Sequence, residues 1–282
     1  MIRSWAAFAL LVAVSTGCTA QPAAHGPAPA PSAAANSAPA ASAVPAVPAL
    51  PVRPTSTTPA RARTATGSAR PSRSAPGAIR PLSVAARAAG LVDIRTVVAN
   101  AVIDLRYATA DNFVGVPLYP ADARCLVHQS MAAGLEVAAD RLRRAGFLLV
   151  FWDCYRPHPV QVRMFQIVPD PSWVARPGPY ARSHEAGRSV DVTLAYATSR
   201  ACPATRRASG HCLVEMGTGF DDFSARAHAF AGDGVSSQAQ ANRRRLRSAM
   251  NAGGITVYSG EWWHFNGPGA SVARPHLGTP VD

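Results

Sequence analysis

The sequence contains no lysine, and its first 80 residues contain neither aspartate nor glutamate. All 28 basic residues are therefore arginine, and their excess over 16 acidic residues gives a formal net charge of +12. More than half of that charge lies in the acid-free segment, at Arg3, Arg53, Arg61, Arg63, Arg70, Arg73 and Arg80. These arginines are scattered among alanine and proline, with no aromatic platform between them on which bases would stack. We therefore expect no nucleic-acid partner.

The N-terminus lacks an apolar run long enough to cross a bilayer. Trp5–Val14 is a ten-residue apolar run preceded by Arg3, which is typical of an export signal. Gly17 followed by Cys18 resembles a bacterial lipoprotein cleavage site, so we predict a signal peptide at 1–18 and lipidation of Cys18. Such sites prefer an aliphatic residue where Ser15 stands, which leaves free secretion as the alternative. In both cases the protein is expected in the periplasm or cell envelope, either anchored to the membrane or free.

Large apolar side chains are scarce from residue 19 to residue 82, where alanine, proline and serine predominate. Such a segment cannot bury enough surface to offset its chain entropy. It is predicted to be a disordered, partly polyproline linker. The remaining residues, 83–282, are predicted to form one folded domain.

Apolar patterning in this domain predicts both helices and strands. Strands are predicted at Thr96–Val98 and Val102–Leu105, in one or two pieces, and at Phe147–Asp153, Val190–Tyr196 and Ile255–Tyr258. Helices are predicted at Cys125–Ala145, Pro159–Ile167 and Ser236–Ala252. The alternation is irregular and hairpin signals are weak, which indicates an α+β fold with a central mixed or antiparallel sheet flanked by helices.

Three residues have the side chains of a zinc site. His184 and Asp191 offer nitrogen and oxygen ligands, and His264 offers a third, which leaves a fourth position open as in catalytic zinc sites. The separation of seven residues would point His184 and Asp191 to opposite faces of one regular strand. Gly187 lies between them and lets the chain bend.

Glu261 lies three residues before His264 and is the candidate general base. In an extended chain the two side chains would diverge, so a bulge or a turn is needed to bring both to the metal. His184-Glu185 begins like the zincin helix motif, but position 188 is Arg rather than His. Glu185 is therefore not expected to be the base.

Four cysteines remain once Cys18 is set aside, and they allow three pairings. Cys202 and Cys212 bracket a short segment rich in Pro, Gly and Arg, so a local disulfide is predicted there, which leaves Cys125 to pair with Cys154. Cys154 follows the predicted strand Phe147–Asp153 and is therefore close to the expected site. A catalytic thiol is the rival interpretation, and an oxidising compartment disfavours it.

Several ordered motifs resemble those of the bacterial D-alanyl-D-alanine dipeptidases. Besides the segments Ser183–Asp191 and Gly260–Phe265, they are Arg106–Thr109 with Asp111–Phe113, Trp152–Pro157, Met216–Asp221 and Asn242–Arg247. The resemblance spans about 160 residues. It implies the small α+β zinc fold that D,D-peptidases share with Hedgehog signalling domains, with one Zn²⁺ per chain.

The resemblance also implies roles for individual residues. His184, Asp191 and His264 are implied to bind zinc, Glu261 to act as general base, and Arg156 to stabilise the oxyanion. Asp153 is close enough in sequence to orient Arg156. The positions implied to bind substrate are Asp221, for the ammonium group, Tyr107 and Ser183, although Asp222 makes the first assignment ambiguous by one residue.

Two departures from the family pattern bear on specificity. Arg182 replaces a serine and adds a cation beside the pocket, whereas Ser189 replaces an alanine and is a small change. The segment 198–212 looks like a local insertion that would reshape the rim of the site.

Three functions are compatible with these features. The first is a zinc dipeptidase of the cell envelope acting on D-alanyl-D-alanine, and the second is a D,D-carboxypeptidase or endopeptidase acting on peptidoglycan stem peptides. The third is a non-catalytic, zinc-containing lipoprotein that binds the wall. Asp221 favours the free dipeptide over a longer peptide, and Glu261 with Arg156 disfavours a non-catalytic protein.

Overall fold

The computed structural model describes residues 79–281, which form four helices and nine strands. In chain order the elements are α1 (Val84–Ala88), β1 (Leu91–Asp93), β2 (Val102–Ile103), β3 (Leu126–His128), α2 (Ala132–Arg144), β4 (Phe147–Asp153), α3 (His158–Ile167), β5 (Ser189–Tyr196), β6 (Arg207–Ala208), β7 (His211–Cys212), α4 (Ser237–Ala252), β8 (Thr256–Val257) and β9 (His264–Asn266). The α+β prediction is confirmed.

A five-stranded mixed sheet with the strand order β2-β4-β5-β9-β8 forms the centre of the domain. The β2–β4 pair is parallel and the other three pairs are antiparallel. Strand β5 lies in the middle, and all of its residues except Tyr196 are buried. Strand β4 is also buried along most of its length. A strand that is covered on both faces needs no alternation of polar and apolar side chains, which explains the uninterrupted apolar run of β4.

Helices α2 and α4 pack against each other, and α2 also packs against β4. The two helices approach closely at Gly134 and Gly253: a Cβ atom on Gly134 would lie 2.2 Å from the carbonyl oxygen of Gly253. Ser236 caps the start of α4 by accepting a hydrogen bond from the backbone of Ala239, at 3.1 Å. These contacts hold the helix pair that supports the sheet.

The predicted strands in β4, β5 and β8 and the predicted helices α3 and α4 are present, and no bound differs from its prediction by more than one residue. The strand predicted at Thr96–Val98 is wrong. Ile94–Thr96 forms a 3-10 turn instead, because the Asp93 carboxylate accepts a hydrogen bond from the backbone of Arg95 and caps the turn.

The helix predicted from Cys125 begins only at Ala132. The first residues of the predicted helix instead form β3, which pairs with β1 in an antiparallel ladder. The apolar side chains of Leu126 and Val127 fit a helical stripe equally well, so the pairing with a distant segment decides the structure.

Two disulfides join Cys125 to Cys154 and Cys202 to Cys212, which is the pairing predicted from the sequence. The first links the start of β3 to the residue after β4. The second closes the segment that contains the β6–β7 hairpin.

No helix within residues 79–281 is both long enough and apolar enough to cross a membrane. The predicted signal peptide at 1–18, Cys18 and most of the predicted linker at 19–82 lie outside the described residues.

Candidate active site

Eight of the predicted site residues line a single cavity of about 600 Å³: Tyr107, Arg156, Ser183, His184, Asp191, Asp221, Glu261 and His264. Asp153 lies behind its wall and is completely buried. Residues separated by more than 150 positions in the sequence are thus brought to one opening.

The sheet register places three of the polar residues in one row. Asp153, the last residue of β4, is opposite Asp191 on β5, and Asp191 is opposite His264, the first residue of β9. Directly opposed residues on neighbouring strands share one face of the sheet. A register shift between Phe151 and Asp153 marks an irregularity in β4, and such bulges re-aim the side chains that follow them.

His184 reaches the same face from the 3-10 turn at Ser183–Ala186, just before β5. The turn ends at Gly187, whose φ of 64° lies in the left-handed region. A side chain there would also meet Leu91, with only 2.7 Å between its Cβ atom and Cδ2 of the leucine. The bend predicted at Gly187 is therefore present, and it needs glycine for two separate reasons.

Three acceptor atoms face one another across this part of the cavity. His184 Nε2 lies 3.2 Å from Asp191 Oδ1 and 3.1 Å from His264 Nδ1, and the last two atoms are 3.1 Å apart. These three atoms are called the ligand triangle below. A tetrahedral zinc ion bonded at about 2.0–2.1 Å holds its ligand atoms about 3.3 Å apart, so the triangle has the size that the ion requires.

The outer hydrogen bonds of both imidazoles leave a lone pair at the ligand triangle. His184 Nδ1 donates to the carbonyl oxygen of Cys154 at 2.8 Å, and His264 Nε2 donates to Asn266 Oδ1 at 3.1 Å. In the neutral form of each ring, the nitrogen that carries the lone pair therefore lies at the triangle. Metal-binding histidines generally donate their other ring nitrogen to an oxygen acceptor in this way.

The electrostatics of the ligand triangle favour a bound cation. Burial alone would raise the pKa of Asp191, but His184 and His264 hold it well below its usual range. The charge of Asp191 in turn raises the pKa of His184, although burial disfavours the charged imidazole. The donor set of two imidazoles and a carboxylate thus fits Zn²⁺ in chemistry, spacing and charge.

A turn brings Glu261 to the ligand triangle. The spacing between Glu261 and His264 predicted either a bulge or a turn here. The backbone of Glu261 donates to the carbonyl of Tyr258 at 3.3 Å, and β9 then starts at His264. Glu261 Oε2 lies 3.8 Å from His264 Nδ1. Burial raises the pKa of Glu261 to about 8, and the negative charges of Asp191 and Asp221 act in the same direction.

Arg156 also lines the cavity and is held there by three hydrogen bonds. Its Nε and Nη2 atoms donate to Asp153 Oδ2 at 3.0 and 2.7 Å, and Nη1 donates to Gln161 Oε1 at 2.7 Å. Although burial disfavours its charge, the Asp153 carboxylate raises the pKa of Arg156 well above its usual value. Nη2 also lies 3.8 Å from Asp191 Oδ2, so a permanent cation sits beside the ligand triangle.

Asp221 occupies another part of the wall, where the Tyr107 hydroxyl donates to its two carboxylate oxygens at 3.1 and 3.2 Å. Its φ of 55° is left-handed, a costly conformation for a residue other than glycine. Burial, together with the charge of Asp191, raises the pKa of Asp221 to about 7. Asp222 does not line the cavity and lies 3.7 Å from Arg226, so of the two adjacent carboxylates only Asp221 lines the cavity.

Ser183 also has a left-handed φ, of 49°. Its hydroxyl donates to Ser189 Oγ at 2.9 Å and lies 3.4 Å from His264 Nε2. Ser189 donates onward to Asn266 Oδ1 at 2.6 Å. Ser189 is therefore more than a small replacement, because it belongs to the chain of hydrogen bonds that holds His264.

Three supporting residues were not identified from the sequence: Asn266, which accepts from His264, Gln161, which accepts from Arg156, and Tyr119, which donates to Asp153 at 2.7 Å. No local pattern distinguishes them from ordinary surface or core residues. Only the contact itself identifies their role.

Three further features of the sequence concern the surroundings of the cavity. Arg182 lines the cavity, as expected. Residues 198–212 are not among the described residues that line it, but Thr205 and Arg206 line a neighbouring cavity that shares Phe113 and Asp221 with it. The effect of this segment on the rim therefore stays a prediction. Glu185 Oε1 lies 2.6 Å from His158 Nδ1, outside the ligand triangle.

Comparison with known proteins gives one consistent result. A family model described as D-ala-D-ala dipeptidase, within peptidase family M15, matches residues 87–282. A D-alanyl-D-alanine dipeptidase of Escherichia coli K12 is 35% identical over 181 residues, covering 64% of this chain and 86% of the relative. A Streptomyces coelicolor enzyme of the same name is 35% identical over 198 residues, covering 64% and 90%. One from Enterococcus faecium is 33% identical over 186 residues, covering 57% and 83%.

Proposed function

Since this chain belongs to the D-ala-D-ala dipeptidase family of M15 metallopeptidases, we propose that it is a zinc enzyme that hydrolyses D-alanyl-D-alanine to two molecules of D-alanine. The ligand triangle is the observation that carries the proposal, because three lone-pair atoms at zinc spacing have no other evident purpose. Glu261 and Arg156 line the same cavity, which disfavours a non-catalytic wall-binding protein.

His184, Asp191 and His264 would hold one Zn²⁺. When bound, the ion supplies a Lewis acid that brings the pKa of a water molecule down to about 7. Ser183, Ser189 and Asn266 hold the His264 ring in place, and the backbone carbonyl of Cys154 does the same for His184. The ligands are therefore positioned before the ion arrives.

Glu261 has the position and the environment of a proton shuttle. Its side chain is 13% exposed and reaches the ligand triangle without joining it. The carboxylate takes a proton from the attacking water and passes it to the nitrogen of the leaving D-alanine as the peptide bond breaks. The raised pKa of the buried carboxyl group suits both steps, because the group must accept the proton and then release it.

Arg156 supplies a positive charge in the same cavity as Glu261. The carbonyl oxygen of the scissile bond becomes an oxyanion in the tetrahedral intermediate, and a fixed cation lowers the energy of that state. The three hydrogen bonds that Arg156 donates to Asp153 and Gln161 keep the guanidinium in place, so little reorganisation is needed during the reaction.

The free dipeptide is a zwitterion, and Asp221 provides a carboxylate for its ammonium end. Tyr107 orients that carboxylate through its hydroxyl group. A longer stem peptide has an amide in place of the ammonium group and cannot make this ion pair. Asp221 therefore favours the dipeptide over a D,D-carboxypeptidase or endopeptidase substrate.

His264→Ala is expected to lose zinc and, with it, hydrolysis of D-alanyl-D-alanine. The substitution removes one of three ligands, and even supporting residues beyond the ligands typically contribute about 10–100-fold to metal affinity. Metal analysis of the dialysed variant, together with a D-alanine release assay, tests both effects. Full zinc retention would remove His264 from the ligand set.

For the location, we propose an exported lipoprotein anchored through Cys18, based on the residue pattern of the first 18 residues. A dipeptidase outside the cytoplasm would act on wall-derived dipeptide rather than on the cytosolic precursor pool. Cys18→Ala should move the protein from the membrane fraction to the soluble fraction, and an unchanged distribution between the two fractions would contradict lipidation.

A further inference from the structure

A second cluster of ligating side chains lies beside the active site and has no part in the mechanism above. His158 is the first residue of α3, Glu185 follows the zinc ligand His184, and His276 lies in the segment after β9. One potential ligand atom from each residue lies within 4.8 Å of the other two. All three are partly accessible, since their side chains are 32%, 11% and 25% exposed.

The hydrogen bonds around His276 leave a lone pair directed at the cluster. Its Nε2 lies 3.0 Å from the backbone carbonyl of Gly178 and donates to it, so in the neutral ring Nδ1 is the nitrogen that carries the lone pair. Nδ1 is buried and has no hydrogen-bond partner among the described residues. It lies 3.6 Å from Glu185 Oε1, beyond hydrogen-bond distance and with room for an ion to bind both atoms.

The spacing of the cluster fits a metal ion. Glu185 Oε1 is 3.6 Å from His276 Nδ1, close to the separation of about 3.3 Å that tetrahedral zinc imposes on its ligands. It is 2.6 Å from His158 Nδ1, a hydrogen-bond distance that has to lengthen when a metal ion replaces the shared proton. The two imidazole rings lie side by side, with centroids 3.9 Å apart and planes inclined by 37°. His276 also shows the outer hydrogen bond to a carbonyl that is found at both histidines of the ligand triangle.

We propose that His158, Glu185 and His276 form a second Zn²⁺ site. Two imidazoles and one carboxylate suit zinc, whereas Ca²⁺ and Mg²⁺ prefer sites made of oxygen atoms alone. The ligands are more exposed than His184 and Asp191, so this ion exchanges more readily than the one in the ligand triangle.

The second ion would join three segments that surround the active site. His158 lies two residues after Arg156, Glu185 is adjacent to His184, and the Arg156 backbone donates to the His184 carbonyl at 3.0 Å. His276 brings the C-terminal segment to the same point. Binding of zinc here therefore fastens that segment to the wall carrying Arg156, and its direct consequence is a more stable folded state.

Zinc stoichiometry tests the proposal on the full, untagged chain after removal of metal. We expect wild-type protein to bind two equivalents by titration calorimetry and by metal analysis, and His276→Gln and Glu185→Gln each to retain only the tighter one. His264→Ala should keep only the weaker one, which distinguishes the two sites. His211→Ala is the matched control, because it removes a half-exposed histidine outside both clusters, and it should retain two.

Thermal unfolding gives an independent readout. The second equivalent of zinc should raise the melting temperature of wild-type protein and of His211→Ala, and should leave that of His276→Gln unchanged. Retention of the tight zinc by His276→Gln shows that this variant is folded, and His158→Gln provides a second test of the same loss. Wild-type saturation at one equivalent, or two equivalents in His276→Gln, would overturn the proposal. Neither readout requires dipeptidase activity. The second zinc site can therefore be confirmed if the protein proves not to be a dipeptidase, and it can be rejected if the protein proves to be one.

Discussion

Glu261→Ala is expected to keep the zinc of the ligand triangle and to lose at least about 100-fold in kcat/KM for D-alanyl-D-alanine. General acid–base catalysis by a positioned carboxylate contributes roughly 10²–10⁴-fold. Three other carboxylates line the cavity among the described residues, and each is already engaged. Asp191 belongs to the ligand triangle, Asp221 is bonded to Tyr107, and Glu185 is bonded to His158. Although burial raises the pKa of Glu261, a zinc ion in the triangle would favour the ionised form, which the basic role requires.

Two further variants sharpen this prediction. Glu261→Gln keeps the shape of the side chain and removes only its ability to accept a proton, so it should lose nearly as much activity as the alanine variant. Glu136→Ala changes an exposed glutamate on α2 and should behave as wild type. If Glu261→Ala binds zinc and turns over the dipeptide at a near-normal rate, then Glu261 is not the base.

N-acetylation of D-alanyl-D-alanine is expected to cost roughly 30-fold to several thousand-fold in kcat/KM. The acetylated substrate has no ammonium group, so the Asp221 carboxylate loses a charge-assisted hydrogen bond and is left unpaired beneath the ligand, at roughly 2–5 kcal/mol. Asp221→Asn should impair the free dipeptide and largely remove the difference between the two substrates. Measuring both substrates on both proteins gives the coupling between Asp221 and the ammonium group directly.

Asp222→Asn is the matched control for this cycle. It makes the same chemical change one residue away, at a side chain that lies 3.7 Å from Arg226 and does not line the cavity. This variant should keep the full preference for the free dipeptide. If wild-type protein cleaves the acetylated dipeptide or a wall pentapeptide as well as the free dipeptide, the pocket is open at that end, and a D,D-carboxypeptidase is the better description.

The same preference should depend on pH. Because the pKa of Asp221 is raised to about 7, the carboxylate gains a proton as the pH falls through that range and can no longer pair with an ammonium group. The ratio of kcat/KM for the free and acetylated substrates should therefore shrink on acidification. Taking the ratio cancels the titration of Glu261, which affects both substrates. A ratio that stays constant as the pH falls would argue against Asp221 as the ammonium site.

The residues of the ligand triangle could be identified from the sequence because their chemistry is unusual and the motifs around them are specific. The need for a bend at Gly187 and for a turn before His264 followed from strand geometry alone, and both are present. The buried strand β4 and the long helix α4 were predictable for a related reason. Each carries a strong local pattern with clear ends, such as Ser236 before α4 and Gly253 after it.

Features that depend on distant pairing could not be predicted in this way. Strand β3 has a sequence that fits a helix, and only its ladder with β1 decides the outcome. The supports of the site, Asn266 and Gln161 among them, are common polar residues whose partners are fixed by the fold. The same holds for His276, which meets His158 and Glu185 only because the C-terminal segment returns to the start of α3.

The most direct test of the whole account is D-alanine release from D-alanyl-D-alanine by the metal-stripped, untagged protein as zinc is added back. The expected result is no release without metal, a rise in proportion to the first equivalent of Zn²⁺, and little release from L-alanyl-L-alanine at any zinc concentration. Failure to release D-alanine at saturating zinc, or equal hydrolysis of the L,L-dipeptide, would contradict the assignment of this chain as a zinc D-alanyl-D-alanine dipeptidase.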